Sequence, residues 1–341
     1  MTSPSTPDIP QSETAAPRRR LSMAMSDYDH VRDLLSGVVR ISGVELAPVS
    51  LPVEEIFRRF ITEQAWDVAE MSMGKYVALI AQGDTRMTAI PVFPSRMFRH
   101  SALYVKGGGP VRTPADLRGR RVGIPEWAQT AVIYVRALLT HEYGVALEDI
   151  EWVQAGVNRP GGAERVALQT PPGVRVVVNA SDTLDAMLQD GRIDALIAAH
   201  PPESFARGDG KTARLIADCQ AAEEQYFEKT GIFPIMHTVA FRSDVLAGDP
   251  TLAPRFFQAF EQARQRSVAR SLDGAVSRFP VPWLAGHAER MRERFGGDCW
   301  PYGVAKNRVT LDAFLRFAHE QGVCNRRLDV DELFPGVFRD G

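Results

Sequence analysis

Residues 51–72 read LPVEEIFRRFITEQAWDVAEMS, and residues 181–200 read SDTLDAMLQDGRIDALIAAH. The two stretches share one scheme: an amphipathic helix, a polar break, then a strand that begins at an aspartate. In the first, Val53, Ile56, Phe57, Phe60 and Ile61 fall on one helical face. Pro52 suits a first helical position there. In the second, Asp182 to Gln189 is helical and IDALIAA is strand. As a repeat the echo is weak, but it describes two similar α/β lobes. In such lobes ligands bind at the carboxyl ends of the strands, in the crevice between halves.

Working outward, helices are expected over Gly74–Gln82, Ala128–Tyr143, Glu223–Lys229, 250–271, 283–295 and 309–321. Gly144 closes the second of these. Strands are expected over 86–93, 101–105, VGI at 122–124, 150–153, 174–178 and 233–241. Thr113 and Asp116 form a capping-box pair, and the Gly run 107–109 with Pro110 breaks the chain. Strands alternating with helices predict largely parallel sheets.

Bulk composition narrows the function. The chain has 341 residues, enough for two lobes, and 45% of them are hydrophobic. Formal net charge is −2, from 40 basic against 42 acidic residues. No global field favours nucleic acid or an anionic membrane. Cys219, Cys299 and Cys324 are odd in number and far apart, so inert thiols in a reducing compartment are expected. Residues 1–20, rich in Pro, Ser and Thr, read as a disordered tail. The run after Arg20 reaches Ser26 and Asp27 too soon for a secretory core, and no stretch approaches the roughly 20 apolar residues of a membrane helix. The expected location is cytoplasmic.

Candidate chemistry gathers at a few points. IPVFPSRMFRH, residues 90–100, sets Arg96, Arg99 and His100 among aromatics and prolines. A guanidinium fork matches a carboxylate bidentately, although a paired Arg-x-x-Arg also serves as an inter-lobe salt bridge. TGIFPIMHTV, residues 230–239, puts His237 in an apolar strand, where a histidine is often a satisfied core residue. If this strand and the one after His100 are neighbouring crossings, two imidazoles flank one crevice. In GIPEWAQTA the helix start at Gln129 and Thr130 is either ordinary capping or an anion site. Glu126 would orient an imidazole or repel a second anion. The runs Asp27-Tyr28-Asp29 and Glu70-Met71-Ser72 follow strand-like segments, as crevice-lining loops do.

Other classes lack support. There is no GxGxxG after a strand, no GxxxxGK[ST], no HExxH and no GxSxG. The 7 histidines show no metal-ligand spacing, so no metal site is expected from sequence.

Four segments taken together resemble 4,5-dihydroxyphthalate decarboxylases. They are FPSR-x-FRHS at 93–101, VG-x-PE at 122–126, TGIFPIMHTV at 230–239 and WPYG-x-x-x-NR-x-TL-x-x-FLR at 300–316. The resemblance runs from about Asp27 to Phe334. It implies a two-lobed fold like that of type II periplasmic binding proteins, with two hinge-crossing strands. Lobe I would be 21–104 with 236–341, and lobe II 105–235. It also implies a non-oxidative decarboxylase of a hydroxylated aromatic dicarboxylate, from 4,5-dihydroxyphthalate-like to protocatechuate-like, with no organic cofactor.

In that reading Arg96 and Arg99 bind carboxylate, and His100 or His237 protonates the ring. Glu126 orients, while Glu70 or Asp27 contacts ring hydroxyls. The chain departs from the family pattern in three places. MSDYDH stands for CWDYDR, Gly74-Lys75 replaces smaller polar residues, and Ala199-His200-Pro201-Pro202 stands where an Arg occurs in an ARxPS context. His200 therefore takes the position of a crevice arginine, which points to a related acid with different substituents. The alternatives are a non-catalytic binding or sensor protein for an aromatic carboxylate, and a metal-assisted decarboxylase. A homo-oligomer is compatible with the helical C-terminal region.

Overall fold

The structure, a computed structural model, describes residues 18–338. The tail expected over 1–17 lies outside the described residues. Arg19 and Arg20, placed in that tail by the sequence reading, open the first strand.

The chain begins β1 (Arg19–Met25), α1 (Asp29–Leu35), β2 (Val44–Ser50), α2 (Val53–Glu63), β3 (Val68–Ser72), α3 (Met73–Ala81) and β4 (Met87–Ile90). It then runs β5 (Leu103–Lys106), β6 (Arg121–Ile124), α4 (Thr130–His141), β7 (Glu151–Gly156), β8 (Arg175–Thr183), α5 (Leu184–Gln189), β9 (Ala195–Ile197), α6 (Glu203–Ala206), β10 (Thr212–Arg214) and α7 (Cys219–Thr230). It closes with β11 (His237–Arg242), α8 (Ser243–Gly248), α9 (Leu252–Leu272), α10 (Leu284–Arg294) and α11 (Arg308–Glu320).

These elements build two sheets, ordered β2-β1-β3-β11-β4 and β10-β5-β9-β6-β7-β8. Both are mixed rather than largely parallel. β11 runs antiparallel to β3 and β4, and β5 runs antiparallel to β9 and β10. The cause is the double crossing: strands that follow a hinge segment enter their sheet from its far end. Leu103 and Tyr104, assigned to the first lobe from sequence, pair within the second sheet.

Local chemistry explains most of these elements. α2 buries Ile56, Phe57, Phe60 and Ile61, the apolar face visible in the sequence. Pro52 is its N-cap rather than its first helical residue. Gln64 ends it in the left-handed region at φ 51°, its side-chain amide donating to the Phe60 carbonyl at 2.7 Å. β2 contains Pro48, which a central strand could not accommodate. β2 lies at the sheet edge, where a missing N–H is harmless.

The crossings are residues 91–102 and 231–236. They touch through an isolated antiparallel bridge, Arg96 to Ile235, flanked by Met97 N–H to Pro234 O at 3.1 Å and Met236 N–H to Ser95 O at 2.8 Å. Expected strand 233–241 therefore starts only at His237, because its first half is hinge. The C-terminal region ties the lobes together: Tyr76 of α3 donates to Leu333 O, and Trp127, just before α4, donates to Gln321 O.

Candidate functional site

Four loops leave the carboxyl ends of parallel strands and meet above the hinge. Ser26 and Tyr28 follow β1, Ser72 ends β3, Glu126 follows β6, and Ala199 and His200 follow β9. They enclose, with Ser95, Met97, Arg99, Met236 and His237 from the crossings, a cavity of about 460 Å³. This is where an open α/β sheet places its ligand. Pro52, Val53, Phe57 and Ala131 supply apolar wall.

The crossing segment alternates, as extended chain must. Ser95, Met97 and Arg99 face the cavity; Arg96 and Phe98 face away. Arg96 donates to the carbonyls of Pro301 at 3.2 Å and Phe233 at 3.0 Å, and its guanidinium lies 4.6 Å from the Phe233 ring centre. It holds the hinge to the C-terminal region and lies outside the cavity lining, contrary to its expected partnership with Arg99. Phe98 stacks on Phe233 with ring centres 4.9 Å apart.

Arg99 is different. It is 9% exposed, its Nε donates to Met236 Sδ at 3.0 Å, and among the described residues no carboxylate pairs with it. Burial pulls its pKa down to about 10, still charged at neutral pH, with Tyr104 and Glu223 acting the other way. A desolvated cation without an anion is a strong receptor for one.

The histidines also separate. His100 opens a short 3-10 turn and is buried against the Tyr226 ring at 5.4 Å, its Nδ1 3.9 Å from Glu223 Oε1. It lies outside the cavity lining, and burial lowers its pKa to about 4. The chain turns after Arg99 and carries His100 toward α7. His237 lines the cavity at the start of β11. It pairs with Ser72, which puts it diagonally beside Glu70 on the same sheet face.

Glu70 is fully buried in β3, every residue of which is buried. A carboxylate there must be satisfied. Ser26 N–H donates to Oε2 at 3.0 Å, Tyr28 hydroxyl donates to Oε1 at 2.5 Å, and His237 Nδ1 lies 2.6 Å from Oε1. Burial, then Glu70, pushes the Tyr28 hydroxyl far above its ordinary range. Among the described residues His237 Nε2 has no hydrogen-bond partner. Phe57 meets the imidazole edge-on at 4.9 Å. Asp27, expected at the crevice, is exposed and outside the lining; its neighbour Tyr28 faces inward instead.

At the start of α4, Gln129 is the N-cap and Thr130 Oγ1 accepts from Gly74 N–H at 2.9 Å and lies 3.0 Å from Ser72 Oγ. These contacts join the lobes. A Cβ at Gly74 would come within 2.5 Å of the Ala128 carbonyl, so only glycine allows the approach. Gln129 Oε1 is buried without a partner. Glu126 meets Lys75 Nζ at 2.5 Å and lies 3.8 Å from Arg165 Nε, so cations and not an imidazole hold it. Lys75, Arg165, Glu54 and Phe57 escaped the sequence reading as site residues, and Tyr28 entered it only as a member of the loop run Asp27-Tyr28-Asp29. Lys75 was visible only as a departure from a family pattern. At the mouth, His200 Nε2 lies 3.0 Å from Glu54 Oε1.

Among the described residues no three His, Cys, Asp or Glu side chains gather as metal ligands would. No described helix is long and apolar enough to cross a membrane.

Comparison with known proteins agrees with this architecture. Among solved structures, the aliphatic sulphonate binding protein SsuA of Escherichia coli aligns over 94% of this chain and 98% of its own, with a TM-score of 0.54 at 14% identity. The desulfurization enzyme DSZB aligns over 94% and 97%, with a TM-score of 0.51 at 14% identity. Those likenesses establish the two-lobed periplasmic-binding-protein-like fold. No family model matches the chain. The 4,5-dihydroxyphthalate decarboxylase of Pseudomonas putida is 36% identical over 209 residues, 61% of this chain and 81% of that protein. That of Comamonas testosteroni is 37% identical over 317 residues, 92% of this chain and 96% of that protein. At that identity over nearly the whole of both chains, this protein belongs to the 4,5-dihydroxyphthalate decarboxylase family, a family of carboxy-lyases.

Proposed function

We propose that the cavity decarboxylates a hydroxylated benzene dicarboxylate of the 4,5-dihydroxyphthalate class, with His237 as proton donor and Arg99 as carboxylate holder. One observation carries the reading: a buried guanidinium without a carboxylate partner and an imidazole with an uncommitted Nε2 line the same cavity of about 460 Å³.

Direct loss of CO₂ from a benzene ring would leave an aryl carbanion. A hydroxyl para to the leaving carboxylate offers another route. The imidazolium N–H gives its proton to the ring carbon that bears the carboxylate. The para hydroxyl oxygen shares the resulting positive charge. The bond to the carboxylate carbon then breaks, its electron pair restores the aromatic ring, and CO₂ departs. The imidazole regains a proton from water. Overall one proton is consumed and one CO₂ released. Arg99 holds the remaining carboxylate so that the reacting carbon faces His237. Ser72, Gln129 and Thr130 line the same cavity at the contact between the lobes. The apolar walls of Val53, Phe57, Met97 and Met236 favour neutral CO₂ over the charged ground state.

The test is incubation with 4,5-dihydroxyphthalate in D₂O. One CO₂ per substrate and one deuterium at the vacated ring carbon are expected, and His237→Gln should lower turnover at least 100-fold, as loss of a general acid does. A saturable complex without CO₂ release, or full activity in His237→Gln, would overturn the reading.

A further inference from the structure

We infer that Glu70 is a positioning residue: it holds the His237 ring with Nδ1–H toward the protein interior, so that Nε2 is the atom presented to the cavity. The inference rests on the reading of His237 as the proton donor and assigns Glu70 a role other than contact with substrate hydroxyls.

Glu70 has no face left for a substrate. It is fully buried, and its two oxygens already receive three donors, from Ser26, Tyr28 and His237. Ser26 N–H and Tyr28 hydroxyl can only donate to it, since a backbone amide is no acceptor and the Tyr28 proton is held on oxygen by burial. These two contacts fix the carboxylate plane. The third place, 2.6 Å from Nδ1, then requires a proton on Nδ1.

Among the described residues no lysine or arginine pairs with Glu70, and the His237 imidazole stands where such a partner would be. The cavity's other acid, Glu126, is already met by Lys75. The groups that face His237 are Glu70 from β3, Tyr28 from the turn before α1, and Glu54 and Phe57 from α2. Tyr28 hydroxyl lies 3.4 Å from Nδ1 and competes poorly with the nearer carboxylate.

Glu70→Gln reverses part of this pattern. An amide cannot place an acceptor before both Ser26 N–H and the Tyr28–His237 pair. Its NH₂ therefore opposes Ser26, or it faces Nδ1 and drives the proton to Nε2.

The experiment is ¹⁵N NMR of histidine-labelled protein, with the His237 signal identified by its loss in His237→Gln. The wild-type neutral ring is expected to carry its proton on Nδ1. Glu70→Gln should change that ring's signal and lower kcat about 10- to 100-fold with KM changed less than threefold. Glu70→Asp should recover part of kcat, and Tyr28→Phe should leave the His237 tautomer unchanged. A wild-type ring protonated on Nε2 overturns the inference without any variant, even if Glu70→Gln fails to fold. So does a Glu70→Gln protein with unchanged kcat. The tautomer measurement needs no substrate, so wild-type protein inert toward dihydroxyphthalate would sink the functional reading alone.

Discussion

His200 Nε2 and Glu54 Oε1 lie 3.0 Å apart, one on the loop after β9 and the other on α2, so a single ion pair spans the two lobes at the cavity mouth. The same two side chains line the cavity. Whatever enters must pass them or part them.

That pair is pH-dependent. The hydrogen bond to Glu54 raises the pKa of His200, and the hydrogen bond to His200 lowers that of Glu54. A raised histidine stabilises below its unfolded pKa and loses the effect as pH rises through the folded one. A lowered carboxyl stabilises above its unfolded pKa and loses the effect as pH falls. The pair therefore acts from about pH 4.5 to somewhat above 6.5. The side chains are 75% and 60% exposed, so screening holds the effect to a few tenths of a kcal/mol. Glu54→Gln should lower Tm slightly at pH 6 and not at pH 9, as scanning calorimetry would show. An equal loss at both pH values would refute the assignment.

Arg96 and Arg99, three residues apart, should fail in different ways. Arg99→Gln removes the unpaired cation at the cavity wall and should cut kcat/KM about 10- to 100-fold with little change in Tm. Arg96→Gln leaves the carbonyls of Pro301 and Phe233 without their donor and should cost about 1–3 kcal/mol of stability. Urea unfolding and steady-state kinetics on both variants check the split. Similar behaviour of the two would contradict the alternation along the crossing.

His100 should prove structural. Burial lowers its pKa to about 4, so it stays neutral in the fold but protonates near 6.5 once unfolded. The unfolded chain then binds the extra proton between those values, and stability is lost as pH falls from about 6.5 to 4. The loss attached to this one group is on the order of 3 kcal/mol. His30, also lowered by burial to about 4, adds a similar slope. His100→Gln should flatten the acid limb of the stability curve by about one proton and keep decarboxylase turnover within threefold of wild type. Loss of turnover at full stability would return His100 to the site.

The amino-acid sequence by itself determined the helices whose apolar residues recur every three to four positions, such as α2, and the short apolar strands around them. Arg99 and His237 stood out because charge in an apolar run is rare, whereas the hinge runs 91–94 and 233–236 read as parts of strands. Each of these is a local signal, carried by neighbours in the chain.

Only tertiary structure decided the rest, because it depended on phase and partners. Whether Arg96 or Arg99 meets the cavity is set by the Arg96–Ile235 bridge, and a shift of one residue would exchange them. β2 carries a proline that reads as a break until the strand is found at an edge. Glu70 meets a histidine 167 positions away, and Glu126 meets Lys75 across the lobes. No periodicity encodes those meetings; they arise when β11 pairs beside β3, when α3 meets the loop after β6, and when buried charges must find partners.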